Sequence, residues 1–199
     1  NELSNGRVLL GVASGDRPQE YPATNLDFES RGHRFRESFS YIKAMRESFP
    51  KFENDYGRLN GSVDMLPKPT GSELPLLVTG GSQQDPSWIA ENGDGWMIYP
   101  QEPHIQKKII EAYQSRLAAA KRSVKPVMQP LYIDLIDSQN DSPEHINLGL
   151  RAGTKYLIKH LKSLEESGIN HVALNLRFNQ KDINSTLTDL AENVLPEFK

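Results

Sequence analysis

Short apolar runs alternate along the chain with segments whose hydrophobic residues recur at helical spacing. The runs predict five buried strands, because each is only four to ten residues long and is bounded by turn residues. These predicted strands lie at residues 7–13, 74–79, 96–99, 127–136 and 171–176. Pro130 predicts a bend or bulge inside the fourth strand.

The segments between the strands predict amphipathic helices. The clearest one has apolar residues three or four positions apart from Phe35 to Phe49 and is closed by Pro50. Asp85-Pro86 predicts the capped start of a short helix, and Gly168 predicts the end of a later one. A stretch from Tyr56 to Lys68, rich in turn residues, predicts a hairpin-like excursion.

Five strand–helix alternations predict an α/β fold with a parallel sheet and right-handed crossovers. Two architectures have this order: an open doubly wound sheet, which five strands can complete, and a (β/α)8 barrel, which they cannot. The pattern alone favours the open sheet. In both architectures ligands bind at the carboxyl ends of the strands, so the candidate site residues are sought there.

Composition excludes several classes of protein. The 199 residues carry 23 Lys and Arg against 26 Asp and Glu, a net charge of −3, which argues against a nucleic-acid or anionic-membrane partner. The chain has no cysteine, and its five histidines lack metal-ligand spacing, so we expect no disulfide and no metal site. No apolar run reaches membrane-spanning length and no secretory signal is present, so we expect a cytoplasmic protein.

The end of the second strand carries the clearest ligand chemistry. Gly80 and Gly81 allow close approach to the backbone, Ser82 offers a hydroxyl, and the helix that follows offers free amides, which together suit a phosphate. The alternative is a tight strand-to-helix turn without a ligand, which an isolated Gly-Gly-Ser favours. At the first strand end, Arg17 offers a charge for an anion or for a surface ion pair. Ser14 lacks the Gly-x-Ser-x-Gly spacing of a hydrolase nucleophile.

Three segments in order resemble the bacterial luciferase-like monooxygenase family. Leu3–Gly15 (LSNGRVLLGVASG) resembles the family segment that leads into its fourth barrel strand, and Arg31–Glu37 resembles the opening of the helix that follows. Leu77–Ser82, followed by Trp88–Ala90 and Gly93–Trp96, is similar to the family's GGS and GDGW segments. The resemblance extends to about residue 195.

The resemblance implies a (β/α)8 barrel, of which residues 1–199 would form a single domain holding strands four to eight. It therefore replaces the open sheet as the expected fold. The implied activity is that of a flavin-dependent monooxygenase, an enzyme using reduced FMN and oxygen on a small organic substrate. The alternatives are hydride transfer with a deazaflavin coenzyme, or a non-catalytic flavin-binding relative. We expect the 199 residues alone to be inactive, and to form a homodimer or associate through open strand edges.

The resemblance also implies roles for particular residues. Gly80, Gly81 and Ser82 fall where the family contacts the flavin phosphate, and Ser14 falls where luciferase has a phosphate-binding arginine. Trp96 and Tyr99 fall on the strand beside the flavin ring. The cations Arg17 and Arg177, at two strand ends, are candidates for binding substrate. The family's active-site histidine has no counterpart in this sequence, so no catalytic residue is assigned.

Overall fold

The computed structural model of the chain describes residues 1–71 and 74–198. The chain divides into two compact units, Asn1–Trp96 and Met97–Lys199. Whether the chain forms a single domain stays a prediction. Across the described residues, no helix is both long enough and apolar enough to cross a membrane.

The first unit alternates strands and helices, with one added hairpin. Its strands are β1 (Leu10–Val12), β2 (Lys51–Asn54), β3 (Gly57–Asn60), β4 (Leu76–Thr79) and β5, which begins here and spans Gly95–Met97; its helices are α1 (Arg31–Ala44) and α2 (Pro86–Asn92). Strands β1, β4 and β5 are neighbours in that order, and β1 pairs with β4 in parallel. The antiparallel hairpin β2–β3 begins five residues before the predicted excursion.

Apolar burial and one ion-pair network hold the first unit together. Leu76, Leu77 and Val78 of β4 are all buried, as expected for a strand covered on both faces. On the helix side, the Phe39 ring of α1 packs 5.4 Å from Trp88. Asp94 fixes the start of β4, because its carboxylate accepts the Leu76 amide at 3.0 Å.

The second unit contains the other strands and helices. These are α3 (Pro103–Ala119), β6 (Val127–Leu135), β7 (Glu144–Ile146), β8 (Gly149–Ala152), α4 (Thr154–Glu166), β9 (His171–Asn175) and α5 (Ile183–Asp189), followed by a π turn (Leu190–Val194) and a 3₁₀ turn (Leu195–Phe198). Strand β6 pairs in parallel with both β8 and β9. The predicted α/β fold with a mostly parallel sheet is confirmed.

Two features of the second unit correct the sequence analysis. Pro130 lies inside a continuous strand, opposite Ala173, with no interruption of the register of β6 with β9. A parallel strand uses the amides of alternate residues toward each neighbour, so one proline removes a single hydrogen bond and the strand continues. The antiparallel hairpin β7–β8, with Ile146 opposite Gly149, was not predicted at all.

A buried polar pair links α3 to β6. Gln106 and Gln129 are 0% and 1% exposed, and the Gln106 Nε2 donates to the Gln129 Oε1 at 2.7 Å. The apolar core lies on the same face of β6. It comprises Leu131, Ile133 and Leu135 of that strand with Leu150, Ala152, Leu157, Leu190 and Val194.

Candidate functional site

The carboxyl ends of β1 and β4 lie side by side. Val12 is opposite Val78 in the parallel register, and Ser14 and Gly80 each follow two residues later. Ser14 and the segment that continues through Gly81 and Ser82 therefore follow the ends of two paired strands. Four of the predicted site residues thus share one end of the first unit.

Residues 80–83, which we call the strand-end loop, have an unusual backbone. Gly80, Ser82 and Gln83 all have positive φ angles, of 59°, 47° and 59°. For the two residues with side chains this conformation costs roughly 1–2 kcal/mol each. The Ser82 hydroxyl donates to the Thr79 carbonyl at 2.7 Å. Its single proton is therefore engaged in holding the loop.

The amides of the strand-end loop remain available. Within the described part of the chain, the backbone N–H groups of Gly81, Ser82 and Gln83 donate no hydrogen bond. A Cβ built on Gly81 meets no atom within 4 Å. Free amides beside open space are the elements from which proteins build anion sites. At Gly81 the loop therefore leaves room for a ligand beside the backbone.

Gln84 connects the strand-end loop to helix α1, and the sequence analysis missed it. This buried side chain donates from its Nε2 to the Gly32 carbonyl at 2.7 Å and to the Ser82 carbonyl at 3.1 Å. Its Oε1 accepts from the Nε and Nη2 of Arg36 at 3.1 and 3.0 Å. Arg36 and Gln84 are 48 positions apart, so only the fold reveals the contact.

Helix α2 begins as predicted but offers less than expected to an anion. The Asp85 Oδ1 accepts the Ser87 amide at 2.7 Å, which confirms the predicted cap. Pro86 has no N–H group, and the helix is only seven residues long. Helix α2 therefore offers fewer free N–H groups to an anion than the sequence predicted.

The two predicted ring-stacking residues differ in their surroundings. The Trp96 Nε1 donates to the Gly80 carbonyl at 2.8 Å, so the indole supports the strand-end loop. Tyr99 belongs to the second unit and is 52% exposed. That either ring lies beside a flavin stays a prediction.

The two predicted substrate cations are exposed. Arg17 forms an ion pair with Glu20 at 2.9 Å, the alternative role that the sequence allowed. Arg177 follows β9, and its guanidinium lies 5.7 Å from the Phe178 ring. That these arginines bind substrate stays a prediction.

Each unit contains a cavity. In the first unit a pocket of about 240 Å³ opens beside Ser14 and helix α1. In the second a cavity of about 530 Å³ lies between residues 100–103, the β7–β8 hairpin and α4. His160 lies in the wall of this second cavity, and burial lowers the pKa of its imidazole. The charge of Glu102 acts to raise this pKa, and His145 acts to lower it further. The predicted site residues other than Ser14 line neither cavity.

Comparison with known proteins identifies the family. Residues 1–140 match the model of the luciferase-like monooxygenases. An uncharacterised protein of Mycobacterium tuberculosis is 29% identical over 131 residues, which are 63% of this chain and 45% of that protein. The 5,10-methylenetetrahydromethanopterin reductase of Archaeoglobus fulgidus is 24% identical across the whole chain and 61% of the reductase. The chain thus spans about half the length of these curated relatives.

Solved structures share the fold. The monooxygenase RslO1 of Streptomyces bottropensis superposes with a TM-score of 0.83 and 16% identity, over 100% of this chain and 71% of that one. An F420-dependent secondary alcohol dehydrogenase superposes with a TM-score of 0.76 and 18% identity, over 98% and 70%. The family model matches most of the length of this chain, and the chain therefore belongs to the luciferase-like monooxygenases.

Proposed function

We propose that the protein is a flavin-dependent monooxygenase that uses reduced FMN and oxygen on a small organic substrate. The family supports an oxidoreductase, since its characterised structural neighbours are monooxygenases and F420-dependent enzymes. The observation that carries the proposal is the strand-end loop. Three amides that donate no hydrogen bond within the described residues follow the carboxyl end of a parallel strand, where α/β proteins bind phosphorylated cofactors, and the Cβ position of Gly81 among them is open.

In this proposal the strand-end loop holds the phosphate of FMN through the amides of Gly81, Ser82 and Gln83. The Ser82 hydroxyl, the Trp96 indole and the Gln84 amide hold the loop in its binding conformation before the cofactor arrives. Such preorganisation limits the entropy lost on binding. When bound, reduced FMN supplies the electrons that activate oxygen toward the substrate.

The segment between β1 and α1 serves to exclude water from this end of the unit. Its Tyr21 is buried, and the Tyr21 hydroxyl donates to the Ser14 carbonyl. The Phe28 ring packs edge-on against Tyr21 at 5.0 Å. This packing places an apolar cover over the Ser14 backbone, which strengthens electrostatic contacts to an anion nearby.

A deazaflavin-dependent oxidoreductase is the second candidate. It is supported by the reductase from Archaeoglobus fulgidus, which matches the whole chain, and by the F420-dependent alcohol dehydrogenase fold. The two candidates differ in their use of oxygen. Anaerobic reduction of a substrate by reduced deazaflavin would favour the second candidate, and substrate-dependent oxygen uptake with reduced FMN would favour the first.

The binding site is tested by adding a side chain where the structure leaves room. Gly81→Val places methyl groups beside the free amides, whereas Gly57→Val adds the same group at another glycine whose Cβ meets no atom within 4 Å. Losing one charged hydrogen bond weakens affinity roughly tenfold or more. Fluorescence titration with FMN should therefore show this loss for Gly81→Val alone, while both variants melt like the wild type. Equal FMN affinity in the two variants would reject the site.

A further inference from the structure

A cationic pocket lies beside the strand-end loop. Its volume is about 240 Å³, several times the size of a phosphate group, and it opens at the carboxyl end of β1. Four polar side chains line it: Ser14, Arg31, Arg34 and Ser38. The remaining wall is apolar, formed by Val12, Ala13, Phe35, Phe39 and Ile42.

The two arginines of this pocket keep most of their hydrogen-bonding capacity. The Nη1 of Arg31 donates to the Phe28 carbonyl at 2.9 Å, and its guanidinium lies 3.7 Å from the Phe28 ring. The Nη2 of Arg34 donates to the Asp27 carbonyl at 3.3 Å. Each guanidinium carries five N–H groups, so several stay free.

Within the described ranges, neither arginine forms a close ion pair with a carboxylate. Among the described residues, no Asp or Glu oxygen lies within 4.0 Å of a nitrogen of Arg31 or Arg34. Asp27 and Glu29 precede the two arginines along the chain, and the Oδ2 of Asp27 accepts from the Ser30 amide at 2.7 Å. Two half-buried positive charges thus line a small pocket, and among the described residues no carboxylate is in ion-pair contact with them; the charge of Asp27 acts on Arg34 only from beyond that distance.

The pocket and the strand-end loop adjoin each other. Ser14 lines the pocket and follows β1 by two residues, as Gly80 follows the last paired residue of the neighbouring strand β4. On the other side, a Cβ on Gly32, the residue after Arg31, would lie 2.8 Å from the Gln83 Cβ. The first turn of α1 therefore packs directly on the strand-end loop.

The strand ends themselves supply no cation. Residues 12–14 and 79–84 contain neither lysine nor arginine, so their amides and hydroxyls meet a phosphate with dipoles alone. A phosphate dianion taken out of water also requires opposite charge, for which guanidinium geometry is well suited. Arg31 and Arg34 are the cations that line the pocket beside this end, whereas the nearby Arg36 is bound to the Gln84 amide oxygen.

We propose that Arg31 and Arg34, with Ser14, form the charge-neutralising half of the cofactor-phosphate site, whose other half is the strand-end loop. The ligand is a phosphate ester: the monoester of FMN or the phosphodiester of a deazaflavin. This inference rests on the proposed function and adds the residues that discriminate a phosphorylated flavin from an unphosphorylated one. A role in packing alone would not discriminate between them.

The experiment compares FMN with riboflavin, which has the same ring and lacks the phosphate. In the full-length protein, Arg31→Ala and Arg34→Ala should each weaken FMN binding about 10- to 100-fold and leave riboflavin affinity unchanged. Arg31→Lys and Arg34→Lys, which keep the charge, should recover part of the loss. The slope of FMN affinity against salt concentration should also become shallower in the alanine variants.

Arg58→Ala is the matched control, because Arg58 is an exposed arginine of the same unit paired with Glu53 at 3.5 Å. It should bind FMN and riboflavin as the wild type does. A parallel titration with a deazaflavin coenzyme identifies which phosphate ester the arginines serve. Competition by inorganic phosphate should weaken FMN binding to the wild type and have less effect on the alanine variants.

The two levels of the proposal fail differently. If the wild type binds none of FMN, riboflavin and deazaflavin, the proposed function is wrong and the proposed phosphate site is wrong as well. If FMN binds and the alanine variants lose FMN and riboflavin affinity in equal proportion, or lose neither, the assignment of Arg31 and Arg34 is wrong while the function stands. Circular dichroism and melting curves of the alanine and lysine variants show whether any loss reflects misfolding.

Discussion

Replacement of Asp94 by asparagine should destabilise the first unit without changing cofactor binding. The Asp94 carboxylate is 26% exposed and accepts the Leu76 amide and the Arg46 Nη2, each at 3.0 Å, with the Lys43 Nζ at 3.5 Å. Asparagine retains an acceptor for the amide but removes the charge, leaving Arg46, 16% exposed, without its partner. We expect a loss of about 2 kcal/mol in the free energy of unfolding.

The same interactions set the pH dependence. Burial alone would raise the pKa of Asp94, but the hydrogen bonds from Leu76 and Arg46 and the charge of Lys43 outweigh it and hold the pKa below its usual range. A carboxyl whose pKa is depressed by folding stabilises the folded state fully above its unfolded pKa, about 3.9, and loses that contribution as the pH falls through the folded value. The difference between wild type and Asp94→Asn should therefore be constant from pH 7 to about pH 5 and shrink below pH 4.

Urea unfolding, followed by circular dichroism at several pH values, measures both effects. A loss of about 2 kcal/mol corresponds to a melting temperature lower by roughly 4–8 °C. Glu53→Gln is the control, because its pair with Arg58 is exposed and should contribute less than about 1 kcal/mol. If Asp94→Asn unfolds at the wild-type midpoint, or if the difference persists unchanged at pH 3, the buried ion-pair explanation is refuted.

Three further variants probe other contacts. Gln84→Leu removes the acceptor of Arg36 and should weaken FMN binding. It should also lower the free energy of unfolding by about 1–3 kcal/mol. An unchanged FMN titration would contradict the positioning role of Gln84. His160→Gln should make the free energy of unfolding depend less on pH near pH 6. The depressed pKa of His160 makes the wild type lose stability as the pH falls below about 6.5, and the variant lacks this group. The prediction is wrong if the urea midpoints of wild type and variant change by the same amount between pH 7.5 and pH 5.5. Gly149→Ala should cost roughly 3 kcal/mol or more and expose β8 to hydrogen exchange, since its Cβ would lie 1.8 Å from the Tyr132 carbonyl oxygen; wild-type protection would contradict this.

Much of the fold was predictable because its signals are local. The apolar run ending at Thr79 predicted β4, and Asp85-Pro86 predicted the start of α2, including the cap. The hairpin β7–β8 gave no such signal. Its two-residue turn is Asn147-Leu148, and the residue with positive φ is Leu148 instead of glycine or asparagine. A search for turns by their usual residue types therefore could not locate this hairpin.

The site was predictable only in part, for a similar reason. Gly80, Gly81 and Ser82 could be proposed from the sequence because they are consecutive and follow a strand directly, and their role in binding a cofactor stays a prediction. Gln84 contacts Arg36 across 48 positions, and Arg31 and Arg34 line a pocket with residues 12–14, roughly 20 positions away. No local pattern records contacts between segments so far apart. The prediction from sequence assigned the Ser82 hydroxyl to a ligand. In the structure this hydroxyl donates its proton to the Thr79 carbonyl.

The buried pair of Gln106 and Gln129 constrains how this protein can diverge. One hydrogen bond joins the two side-chain amides. The other polar atom of each amide, the Gln106 Oε1 and the Gln129 Nε2, has no partner within the described residues. Exchange of either glutamine for leucine would leave the other amide isolated in an apolar interior, at a cost of about 1–3 kcal/mol. Joint replacement by two aliphatic residues avoids that penalty. Related sequences should therefore keep both amides or change both, and mixed pairs should be selected against.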